Sequence, residues 1–191
     1  MKYTVNKFSK FLVLGLVALV LTACPKDDDG METVNETGEA SFTVTGDVNR
    51  EESGTATHIL LENEPGVVQV WWVLMKDASP QTFTLEPSLM TTSGAAEAPK
   101  PGTYQIGEAL ELQDMTFQLI YNHFPDGNFE NKTEYSTHFD GEGTLTIHSV
   151  EGEWVTASYE VTAHTYDDNF QNIEGTVTIA GSFTSKLIPN N

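Results

Sequence analysis

After about residue 40, this chain repeatedly places an apolar residue at every second position. In GTLTIHS (143–149), Leu145 and Ile147 point one way, and Thr144, Thr146 and His148 the other. In VTASYEVTA (155–163) the inward set is Val155, Ala157, Tyr159, Val161 and Ala163. In IEGTVTIAGSFTS (173–185) it is Ile173, Val177, Ile179 and Phe183. Successive side chains of a strand leave opposite faces, so a period of two marks a strand with one buried side. Glu151-Gly152 and Asp167-Asp168-Asn169 separate the three runs as turns. The last third therefore reads as a three-stranded antiparallel meander, with β-branched threonines on its solvent face.

The same rhythm appears earlier. SFTVTG (41–46), QTFTLE (81–86), GTYQI (102–106), MTFQLIY (115–121) and TEYSTHF (133–139) read as strands, and TATHILLE (55–62) as a less regular one. GVVQVWWVLM (66–75) is apolar on both faces. No window carries a helical period; GEALELQDM (107–115) is the best candidate for a short helical turn. Many short strands with turn residues between them predict an all-β fold. The expected architecture is an antiparallel β-sandwich, immunoglobulin-like or similar, with an up-and-down β-barrel as the alternative.

The amino-terminal segment follows a different logic. Lys2, Lys7 and Lys10 precede the apolar run FLVLGLVALV (11–20), which ends in Leu21, Thr22 and Ala23. Charge, then grease, then a small residue is the pattern of a secretory signal peptide. The run is shorter than the roughly 20 residues of a membrane-spanning helix. The next residue, Cys24, is the only cysteine in the chain, so it has no partner for an intramolecular disulfide. The stretch Leu21-Thr22-Ala23-Cys24 resembles the bacterial lipobox. That resemblance implies acylation of the Cys24 thiol, cleavage of residues 1–23 just before it, and a lipid anchor at the new terminus. The following Lys26-Asp27-Asp28-Asp29 resembles the lysine-plus-acid export signal of Bacteroidota lipoproteins, which implies delivery to the outer face of the outer membrane. Read on composition alone, it is a solvated acidic linker. Residues 24–39 are poor in large apolar groups and rich in acids, a composition that cannot bury a core, and read as a tether. Residues 40–191 then form a single β domain.

The formal charge is −19, with 28 acidic against 9 basic residues. Removing the signal takes three lysines and no acid, leaving −22. Such a surface repels nucleic acid and anionic headgroups. The chain has no Gly-x-Ser-x-Gly, no glycine-rich phosphate loop and no His-Glu-x-x-His.

Four groups of residues invite a functional reading. Trp71 and Trp72 are adjacent, so on a strand they face opposite ways; one fills the core with Val68, Val70 and Leu74, and the other, lying with Val67, Gln69, Val73 and Met75, is an aromatic platform for a sugar or peptide if that face is exposed. A strand buried on both sides is the structural alternative, and Trp154 beside a turn has the same two readings. His138, His148 and His164 share the outward parity, and pairing of the last strands brings His164 near His138. Two histidines fall short of the three or four ligands zinc wants, and scattered surface histidines explain them. Asp126, Asn128 and Glu130 alternate in PDGNFEN (125–131), as calcium ligands can. However, Asn131 and Thr137 occupy the positions where an EF-hand needs glycine and glutamate, so the ordinary reading is an Asp-Gly turn in a long loop between strands. YDDN (166–169) carries the same pair of readings.

Three functions follow as expectations. The first is a non-enzymatic, lipid-anchored outer-membrane lipoprotein that binds or presents a glycan or protein at the cell exterior, with no cofactor. The chain looks like the small β-rich lipoproteins of Bacteroidota, a resemblance that transfers no ligand-site residue. The second is a structural or assembly component of the outer membrane without a small ligand. The third is an extracellular hydrolase, which two carboxyls about 5–9 Å apart across a cleft would support.

Overall fold

A computed structural model describes residues 37–64, 68–77, 81–91, 99–106 and 116–189. Cys24 and Lys26 to Asp29 lie outside these residues, as do most of the tether and the 107–115 segment. The described part is all strand, apart from turns and two single 3-10 turns at Pro125–Gly127 and Phe129–Asn131. Its strands are β1 (Gly38–Gly46), β2 (Arg50–Glu64), β3 (Val68–Lys76), β4 (Phe83–Thr91) and β5 (Gly102–Ile106). They continue with β6 (Thr116–His123), β7 (Thr133–Ser136), β8 (Glu142–Glu151), β9 (Trp154–Tyr166) and β10 (Ile173–Leu187). The all-β expectation holds.

The ten strands form one sheet whose pairings run full circle. β2, β3, β4 and β6 pair in succession, antiparallel. From β6 the wall reaches β9 by two routes. At one end β7 bridges them through Ile120↔Ser136 and Ser136↔His164. At the other, β5 and β8 fill the gap. β9 pairs with β10, and β10 with β1. β1 then pairs with β2, closing the ring. Beyond the start of β1, β10 touches β2 directly, in parallel, at Thr57↔Lys186 and His58↔Leu187. Of the two all-β architectures, this connectivity is that of a closed barrel. The ring is thinnest between β6 and β9, where single pairs, Ile106↔Phe117 and Ser136↔His164, complete the two routes; elsewhere closure pairs strand edges that would otherwise be free.

The β8–β9–β10 meander is present as read. Tyr159, Val161, Ala163, Leu145, Ile147, Val177, Ile179 and Phe183 are all buried. Ile173 departs from the expectation, being 47% exposed. A register shift between Ile173 and Gly175 puts it out of phase with the strand that follows. The β8–β9 loop is two residues, Gly152-Glu153, with Gly152 at φ 62 and Glu151 opposite Trp154. Positive φ at the first central residue alone is the type II′ pattern, whose twist matches the flanking strands.

The interior is filled rather than hollow where these rings stand. Phe42 meets Phe83 edge-on at 5.0 Å and Tyr121 at 6.1 Å. Trp71 meets Phe117 edge-on at 6.0 Å, and Tyr159 lies 6.2 Å from Phe183. Room for Phe42 comes from Gly181 opposite it on β10; a Cβ there would collide with Phe42 and the Ser41 carbonyl. Glycine is needed here for close approach of two strands.

Candidate functional site

The tryptophan pair divides as adjacent strand residues must. Trp71 faces inward, 2% exposed, among Phe117, Phe183 and His58. The buried face of β3 is thus that of Trp71, Val73 and Met75, the reverse of the expected one, and Trp71 offers no surface platform. Trp72 is half-buried on the outer face, paired with Ile59 on β2 and Ser88 on β4. Trp154 is also half-buried, and the Lys186 ammonium stands 5.7 Å from its ring centre in a cation–π contact. Lys186 also approaches Glu153 at 3.8 Å.

One mouth of the barrel is polar, which the sequence reading missed. β2 points Arg50, Glu52, Ala56 and His58 inward, because their partners across the ladders, Val44, Phe42, Met75 and Val73, all face the core. Charged and small residues at inward positions hide the strand's period from any count of hydrophobic residues. Glu52 is 9% exposed and its Oε1 stands 2.7 Å from Arg50 Nε, an ion pair. Burial raises the Glu52 carboxyl above the usual range, the Arg50 charge opposes that rise, and Asp77 adds to it. Tyr121, stacked between His123 and Tyr135, is fully buried, and burial together with the nearby Glu52 charge pushes its hydroxyl up. Burial, then Arg50, pushes the His123 imidazole down. The Asp77 carboxylate is itself engaged, accepting from Thr82 N at 2.9 Å and Thr82 Oγ1 at 2.6 Å. At this end of the barrel the buried Glu52 carboxylate thus pairs with a partly exposed Arg50 close to the buried Tyr121.

Deeper in the barrel, His58 is 2% exposed and its Nδ1 is 2.9 Å from Ser185 Oγ. Burial lowers its pKa to about 4, so the ring is neutral at pH 7.

The outward histidines are anchored to neighbouring strands. His148 Nε2 is 2.8 Å from Ser158 Oγ, and His164 Nδ1 is 2.9 Å from Thr176 Oγ1. His138 and His164 join a common aromatic cluster, His138 against Phe139 at 4.8 Å and His164 against Tyr166 at 6.3 Å. Among the described residues, no three acidic, histidine or cysteine side chains gather as metal ligands. In the 125–131 segment, Asn128 Oδ1 accepts from the Glu130 amide at 2.9 Å, capping the second 3-10 turn. Asp126, at φ 55, and Glu130 are both exposed. In the 166–172 loop, the Asp167 carboxylate accepts from Asn169 N, Gln171 N and Asn172 Nδ2, at 3.2, 2.9 and 2.6 Å. That is a side-chain-built turn.

The outer face across β2, β1, β10, β9, β8 and β5 is a ladder of hydroxyls. Ser53, Ser41, Ser182, Ser158, Thr146 and Thr103 occupy one continuous rank through successive pairings. A shallow groove of about 700 Å³ crosses part of this face, lined by Glu39, Ser41, Ser53, Thr55, Ser182 and Thr184.

Comparison with known proteins adds no relative: no family model matches the chain, nor does any curated protein or solved structure.

Proposed function

We propose that the chain is a lipid-anchored lipoprotein of the bacterial outer membrane, held through Cys24, whose barrel binds or presents a glycan or protein partner at the cell exterior without catalysing a reaction. The observation that carries this reading is the order of the first 29 residues: a charged start, a short apolar run, Leu-Thr-Ala-Cys, then Lys-Asp-Asp-Asp. Several acyl chains on one terminus give effectively permanent attachment, since each buried CH₂ contributes about 0.8 kcal/mol. The strongly acidic composition supports a domain that stays clear of its own anionic membrane.

The test is metabolic labelling with an alkyne fatty acid in cells expressing the chain. The wild type takes up label and loses residues 1–23. Cys24→Ser takes up none and remains at precursor length. Equal labelling of the two refutes the anchor.

A further inference from the structure

The most exposed large apolar side chain described is Phe170, at 66%. It is also one of only two non-glycine residues at positive φ among the described residues, at φ 56. A bulky residue in that region is strained unless its surroundings fix it. Here they do. Phe170 N donates to Asp167 O at 2.9 Å, Asp167 N donates to Asn172 O at 3.0 Å, and the Asp167 carboxylate holds three further donors. Those donors keep its carboxyl below the ordinary value. The loop is built to hold one aromatic ring outward.

That ring has company. Phe139 lies 5.8 Å from Phe170 with the planes at 50°. Tyr166 meets Phe139 at 5.4 Å and 79°, and His138 meets it at 4.8 Å and 88°. The rings stand steeply to one another, so no single flat face spans them. A pyranose stacks on one flat open face. A cation is drawn to several ring faces at once, because each carries negative charge on its π surface. The surroundings are acidic. Asp140 is exposed, its Oδ2 accepts from the Tyr166 hydroxyl at 3.4 Å, and its backbone amide donates to the Tyr166 hydroxyl oxygen at 3.2 Å. Asp168 and Glu174 are exposed on the adjoining loop and strand start.

We propose that Phe139, Tyr166 and Phe170, with Asp140, form a docking notch for a lysine or arginine side chain of a partner protein. The notch deepens the binding role proposed above and rests on that reading only for where the partner is met. The −19 charge of the chain draws such a partner in. The rings then select a cation from other groups.

The full chain, purified in detergent, is titrated with a fluorescent peptide of alternating lysine and glycine. An identical peptide with acetylated lysines, and a panel of neutral oligosaccharides, run beside it. The lysine peptide binds, and acetylation abolishes the binding. Phe170→Ala and Phe170→Leu each weaken it about tenfold, the size of one cation–π contact of roughly 1.4 kcal/mol. Phe129→Ala, another exposed ring on a different loop, leaves it unchanged and controls for diffuse attraction to an acidic surface. Equal binding by Phe170→Ala and wild type overturns the proposal. So does absence of peptide binding, or an oligosaccharide whose binding Phe170→Ala removes, which would make the notch a glycan site. None of these outcomes touches fatty-acid labelling at Cys24, so the anchor and the notch stand or fall separately.

Discussion

His58 shows how one side chain sets a property of the whole barrel. The imidazole is buried and its pKa lies near 4, against 6.5 when unfolded. As pH falls from 6.5 toward 4, the unfolded chain takes up a proton that the folded chain refuses. Stability contributed by the neutral ring is therefore lost across that window, on the order of 2 kcal/mol allowing for solvent screening. His123, also pushed down by burial, acts in the same direction. Glu52, pushed up, acts the opposite way: its contribution is full at low pH and is lost as pH rises through its folded value. Urea midpoints measured between pH 7 and pH 4 should fall for the wild type and fall less for His58→Gln. An identical slope in both would remove His58 from the account. The histidine was legible as a residue but not as a buried one, since nothing local marks position 58 as inward.

At the scale of the element, alternation was readable where every inward position carries a large apolar group, as in β8, β9 and most of β10. It failed on β2, where inward Arg50, Glu52 and Ala56 break the pattern and half the strand goes unread. It also failed on β4, which continues through Pro87 to Thr91. Proline cannot donate to a ladder, and the β3–β4 pairing skips from Trp72↔Ser88 to Met75↔Leu85 around it. β7 stops at Ser136, short of the TEYSTHF run, because Thr137 turns its hydroxyl to accept from Leu119 N at 3.0 Å. Parity on β3 correctly split the tryptophans but assigned the core to the face of Val68, Val70 and Leu74, whereas Trp71, Val73 and Met75 are the buried set. That choice yields a direct comparison: Trp71→Ala should cost about 3–5 kcal/mol and Trp72→Ala clearly less. Comparable losses measured by denaturant unfolding would contradict the assigned faces. On β10, Gly181→Val should cost more than 1 kcal/mol by forcing β1 and Phe42 away. An unchanged melting temperature for that variant would mean the two strands do not pack as closely as described.

For the whole molecule, the all-β class was legible and the closure was not. Which strand ends meet, such as β1 with β10 or β7 with β9, depends on pairings far apart in sequence that no local pattern encodes. The same holds for the proposed Phe139–Tyr166–Phe170 notch, which the fold assembles from the segment after β7, the end of β9 and the loop that follows it. The address, by contrast, is local and is read in the chain's own order from Lys2 to Asp29. The proposed anchor and the barrel together define the central claim, a β domain held outside the cell by lipid at Cys24. Protease treatment of intact cells expressing the chain tests this most directly. The account predicts release of a soluble fragment that begins near residue 38, while a periplasmic marker stays uncut. Complete protection of the chain on intact cells, with cleavage only after lysis, would contradict it.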